Sequence, residues 1–135
     1  MNVTMHQLLD TAELLIENNG DAATTGSANG GSALPVTAAS RCRGAAFALR
    51  AALESAVAIC LAAHGAPHAI CEGTMRASLI WLRICAEAGT ARRARAVWSQ
   101  LCLGCHYHQY EIGPTEDQVR AWRTEVAAIV ALLAP

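Results

Sequence analysis

The chain reads as an all-α protein, an antiparallel up-and-down bundle of four to five helices. Three observations predict this. The 135 residues are 53% hydrophobic but only 4% aromatic, so alanine, leucine and valine must do the packing, and alanine is the strongest helix former while strand-favouring residues are scarce. Apolar residues recur at intervals of three and four over five stretches, the period of a helix with one buried face. The links after residue 65 are short, which sets successive helices side by side. One domain of this length buries a sufficient core without staples.

Helix one is predicted from Thr4 to Asn18, with Leu8, Leu9, Ala12, Leu15 and Ile16 on one face and Asp10, Glu13 and Glu17 turned away. Asn18-Asn19-Gly20 stops it, because these residues tolerate a left-handed C-cap. This N-terminal helix (1–19) is followed by a Gly/Ser/Ala-rich linker (20–35) with almost nothing to bury. The bundle proper is expected over 36–135. Its first helix runs from about Thr37 to His64, buried on Ala46, Leu49, Leu53, Val57, Cys60 and Leu61, with further alanines that allow close approach. A short helix follows Thr74 as N-cap and ends before Gly89. It carries Met75, Leu79, Trp81, Leu82 and Ile84. Thr90 is expected to cap the next helix, which buries Val97, Trp98, Leu101 and Cys105. The last begins at Thr115, where Gln118 stands at capping-box spacing, and buries Val119, Trp122, Val126, Ile129, Val130 and Leu133.

The formal net charge is -1, with all ten basic residues arginine, so no global attraction to nucleic acid or acidic lipid is expected. Residues 1–19 lack the charged and apolar regions of a secretory signal. Arg50, Glu54 and Arg83 interrupt the apolar runs, so no membrane span is expected. Together these predict a cytoplasmic protein whose six scattered cysteines stay reduced and pack as small hydrophobes.

Chemistry concentrates between Leu101 and Thr115, where Cys102, Cys105, His106, Tyr107, His108, Tyr110 and Glu111 fall within ten residues of an otherwise alanine-rich chain. Cys102-Leu-Gly-Cys-His106 matches the five-residue attachment pattern of c-type haem, but such attachment belongs to exported proteins. In a helix, Cys102, Cys105 and His106 share one face and form a candidate zinc half-site. No second Cys/His pair stands at matching spacing, so no cofactor is expected. Polar aromatic residues in an alanine-rich core favour a bonded network lining a cleft or an interface. Two arginine features stand upstream. Arg50 and Glu54 are one turn apart, read first as a solvated i, i+4 pair and second as a cleft-lining pair. Arg92, Arg93 and Arg95 are expected in the first turn of the helix that Thr90 caps, where cations oppose the macrodipole; a solvated face is the usual reading of such a run and a phosphate-binding patch the other.

The order Ala45-Ala-Phe-Ala-Leu-Arg-Ala-Ala-Leu-Glu54, then Cys105-His-Tyr-His-Gln-Tyr-Glu111, then Pro114-Thr115 and an amphipathic last helix resembles the HEPN superfamily of small helical bundles. More narrowly, it resembles an uncharacterised actinobacterial-type group with a His-rich segment followed by Tyr-Glu and Pro-Thr. The resemblance covers about the last two-thirds of the chain. It implies a homodimer that contacts RNA or nucleotide. Active members of that superfamily are metal-independent ribonucleases in which an arginine four to six residues ahead of a histidine holds the phosphate and the histidine moves the proton. Here no arginine stands at that separation before His106 or His108, the nearest being Arg95.

The first expectation is therefore a nucleic-acid or nucleotide-associated binding or regulatory module. It would use His106, His108, Tyr110 and Glu111, with Arg50, Glu54, Arg92, Arg93 and Arg95 at the phosphates. The second is a ribonuclease of toxin or defence type with His106 or His108 as acid/base and a rearranged arginine. The third is a structural homodimer or protein-partner module.

Overall fold

The computed structural model describes residues 3–17, 37–106 and 113–135, the side chain of Val3 excepted. The linker and the sequence-predicted site residues His108, Tyr110 and Glu111 lie outside these residues. The described residues form six helices: α1 (Val3–Glu17), α2 (Ala38–Ala63), α3 (His68–Cys71), α4 (Met75–Cys85), α5 (Ala88–Cys105) and α6 (Glu116–Leu133), with no strand among them. The all-α expectation is met, with one helix more than the periodicity shows, because α3 is a single turn too short to carry a stripe.

The predicted caps explain most of the boundaries. Thr37 accepts from Ser40 N at the start of α2, and Thr74 accepts from Ala77 N at the start of α4. At α6 the Thr115 hydroxyl accepts from Gln118 N while the Gln118 carboxamide oxygen accepts from Thr115 N. Such a reciprocal cap contributes about 1 kcal/mol. One expected cap is corrected. Glu87, not Thr90, caps α5: its carboxylate accepts from Gly89 N and Thr90 N, and Thr90 lies inside the first turn, its hydroxyl bonded to the same carboxylate. These bonds hold the Glu87 carboxyl below its ordinary range. The helix thus starts three residues earlier than expected, so its arginines stand in the second turn.

Helix α2 is the centre of the fold and touches all five others. Its Ala45, Ala46, Leu49, Ala52, Leu53, Val57 and Leu61 are fully buried. Alanines on this face let neighbouring backbones approach, and leucines and valines from α5 and α6 fill the space between. By length and composition α2 is also the one described helix able to cross a membrane, because an 18-residue window of it holds no more than two charges; 56% of that window is buried inside the protein. Helix α1 packs on α2 and α6 through Met5, Leu9, Ala12 and Ile16, all buried, and its Glu13 pairs with Arg123 of α6. It is part of the same core. In α4 the expected apolar stripe is only partly inward: Leu79 and Leu82 are buried, whereas Ile80 and Ile84 face solvent.

Candidate functional site

Two helix edges meet where α2 crosses α5. On α2, Arg43, Phe47, Arg50 and Glu54 recur at i, i+4, i+7 and i+11 and so share one face. On α5, Trp98, Cys102, Cys105 and His106 recur at i, i+4, i+7 and i+8. Close packing at the alanine face of α2 brings the two rows together.

Arg50 is the hub. Its Nε donates to Glu54 Oε1 at 2.9 Å, and its Nη1 lies 3.4 Å from His106 Nε2. A guanidinium only donates, so this contact is a hydrogen bond when His106 Nε2 is the accepting ring nitrogen. Glu54 Oε1 also accepts from Trp98 Nε1 at 3.2 Å. The Arg50–Glu54 pair is therefore not confined to one helix: both side chains are about one-third exposed, and they also contact His106 and Trp98. The Glu54 hydrogen bond is the main influence holding the Arg50 guanidinium charged. Two turns below, Arg43 Nε donates to the Cys105 carbonyl at 3.1 Å, a cation on the negative end of α5. The same guanidinium lies 5.8 Å from the Phe47 ring centroid. Phe47 is 44% exposed and meets the His106 ring edge-on at 6.5 Å. The result is an exposed aromatic face flanked by two arginines and a histidine.

The cysteines beside it are not poised to react. Burial pushes the thiols of Cys102 and Cys105 up, and the neighbouring Arg50 offsets this only in part. Thiol pKa values raised on folding stabilise the fold below the unfolded thiol value, about 8.5, and that contribution is lost as pH rises through the folded values. At pH 7.5, iodoacetamide is expected to alkylate both at least ~10-fold more slowly in the folded protein than in urea, read by mass spectrometry of tryptic peptides. Among the described residues no three Cys, His, Asp or Glu side chains are placed to hold one metal ion, the Cys102, Cys105 and His106 set included.

The three neighbouring arginines part company. At about 100° per residue, Arg92, Arg95, Cys102 and His106 follow one edge of α5 while Arg93 falls on the other. Arg93 is clamped by Glu125 of α6 through two bonds, of 2.7 and 2.9 Å. Arg92 and Arg95 are exposed and form no ion pair among the described residues. Sequence reading thus finds Arg50, Glu54, His106 and the cysteines but misses Arg43, Phe47 and Trp98. The spacing Arg43-x3-Phe47-x2-Arg50 is the signal that points to them, an aromatic between two cations on one helix face.

No family model, curated protein or solved structure matches this chain. The geometry of the site therefore carries the functional reading.

Proposed function

We propose that the protein is a nucleic-acid- or nucleotide-associated binding module of HEPN-like, antiparallel architecture. A phosphate is held between Arg50 and His106, and a base lies on Phe47. The observation that carries this is the Arg43–Phe47–Arg50–His106 surface, which offers guanidinium donors and an open aromatic face within one patch. Guanidinium groups recognise phosphate through paired donors, and single-stranded bases stack on exposed aromatic rings with little regard to sequence. Arg92 and Arg95 extend the cationic edge along α5 by about 20 Å from His106 at 1.5 Å per residue. Arg93 and its Glu125 partner stay outside it. In this reading the protein is cytoplasmic and homodimeric, and no membrane partner is required. The alanine-rich surfaces and the short links between α2 and α6 support a compact, self-associating bundle.

The test is fluorescence anisotropy of a labelled single-stranded RNA oligomer across a salt series. Affinity should fall as salt rises, because phosphate contacts release counterions. Arg50→Ala should weaken binding at least ~10-fold, the order expected for a lost charged hydrogen bond. Arg93→Ala should change it less than ~2-fold, since that cation is already neutralised. Salt-independent binding, or equal loss in the two variants, refutes the proposal.

A second reading, cleavage, is favoured by the Arg50–His106 contact itself. The two residue types that a metal-independent ribonuclease requires meet here from different helices, 56 residues apart in sequence. A phosphate that takes the Arg50 donors frees His106 Nε2 to accept the proton of a 2′-hydroxyl, while Arg50 steadies the charge that develops on phosphorus oxygens. In this reading His106→Ala abolishes RNA cleavage in the presence of EDTA while binding persists. Undiminished cleavage by that variant rejects it.

A further inference from the structure

Helices α1 and α4 each leave one side to solvent, and the two exposed sides carry the same pattern with opposite charge. On α1, Asp10, Leu14 and Glu17 stand at i, i+4 and i+7; on α4, Arg76, Ile80 and Arg83 stand at the same intervals. All six are exposed, Leu14 by 59% and Ile80 by 60%, and Ile84 at 76% widens the apolar part of α4. None of the four charges forms an ion pair among the described residues.

In each set the two charges lie on one flank of the apolar residue. At about 100° per residue, the position four before it stands about 40° to one side and the position three after it about 60° to the same side. Two helices that meet face to face with antiparallel axes bring matching flanks together, whereas parallel axes bring opposite flanks together. Antiparallel docking of α1 on α4 therefore sets Leu14 against Ile80, Glu17 beside Arg76 and Asp10 beside Arg83. The two ion pairs then stand about 10 Å apart along the axis. Docked in the same way, two α4 helices would set arginine against arginine, and two α1 helices carboxylate against carboxylate. Like-charge juxtaposition selects against both.

This contact does not form within one chain. Helices α1 and α4 do not touch, and both pack on α2. A second copy supplies the missing half, because every copy carries both halves of the pattern. We infer that α1 of one copy docks antiparallel on α4 of another, with Leu14 on Ile80 and with Glu17–Arg76 and Asp10–Arg83 as flanking pairs. Made reciprocally, the contact is used twice in a closed dimer. Burial of the exposed leucine and isoleucines supplies the gain in free energy, while the ion pairs fix partner and register. The inference rests on the self-association in the proposed reading and not on its phosphate site, since Arg50 and His106 take no part.

The experiment is sedimentation velocity of the full chain over a concentration series. The parent should self-associate, and less so at high salt. One variant reverses α1 (Asp10→Arg with Glu17→Arg) and a second reverses α4 (Arg76→Glu with Arg83→Glu). All four side chains are exposed, so both variants should keep the parent's circular dichroism. Each alone should associate at least ~10-fold more weakly, because like charges then face one another. An equimolar mixture of the two should regain the parent's assembly, since acid again meets base at both contacts. A monomeric parent, undiminished association of either variant, or a mixture no better than its parts overturns the inference. So does a monomeric parent that binds phosphatidylserine vesicles through Arg76 and Arg83, which would give the α4 face to a membrane. If parent and variants all associate alike, the homodimer stands and only this interface falls. RNA anisotropy on the same proteins reads the phosphate site separately.

Discussion

Leu9→Asp is expected to remove the cooperative thermal transition of the whole protein, not only the helicity of α1. Leu9 is 6% exposed, between Met5, Ala12 and Ile16 in the seam that α1 makes with α2 and α6. A carboxylate there would enter an apolar seam, and burying a charge costs several kcal/mol. The lost leucine packing adds about 2 kcal/mol or more. Domains of this kind are stable by about 5–15 kcal/mol in total, so one substitution removes a large share. The check is circular dichroism through a thermal melt. If α1 were an appendage, the variant would keep the parent midpoint and lose only the signal of one helix. A midpoint within about 2 °C of the parent would show that α1 adds nothing to the core.

Gly104→Leu should also destabilise the fold, less severely and for the opposite reason: too much volume. Gly104 is buried where α2, α5 and α6 converge. A Cβ added there would stand 2.9 to 3.0 Å from the Trp122 ring and 3.6 Å from Ala46 Cβ. Helix propensity favours leucine over glycine by nearly 1 kcal/mol. Overpacking a tight core costs about 1–3 kcal/mol, and here a rigid indole would also lose its bond to Gln100. The steric cost wins. We expect a net loss of about 2 kcal/mol, visible as a midpoint lowered by about 5–10 °C. The same substitution at Gly65, which meets nothing within 4 Å but sits at a positive φ of 74°, would test conformation instead of space. A midpoint for Gly104→Leu at or above the parent value would mean that Trp122 moves aside freely.

Much of the scaffold is legible in the amino-acid order alone. The capping box of Thr115 and Gln118 and the buried row Leu49, Leu53, Val57 and Leu61 follow from local rules of spacing and hydrogen bonding. What stays hidden depends on distant partners or on small phase differences. Arg93 finds Glu125 thirty-two residues away, and Arg50 meets His106 fifty-six residues away, pairings that no local pattern encodes. Arg92, Arg93 and Arg95 look like one patch in a line of text, yet one residue turns a helix by about 100° and sends Arg93 to the other seam. Thr90 loses its expected capping role because Glu87, with a longer reach, covers two amides at once. Phe47 stands unremarked in an apolar stretch, although its register with Arg43 and Arg50 marks the exposed face.

The single oxygen of Glu54 shared by Arg50 and Trp98 has an optical consequence. An indole N–H bonded to a carboxylate that is itself bonded to a cation senses the position of that cation. A ligand that draws Arg50 away leaves the full negative charge on the Trp98 indole, and its emission shifts without any attached dye. Phosphate bound at the proposed site would then be read in a spectrofluorimeter from Trp98 alone, once Trp81 and Trp122 are replaced by phenylalanine.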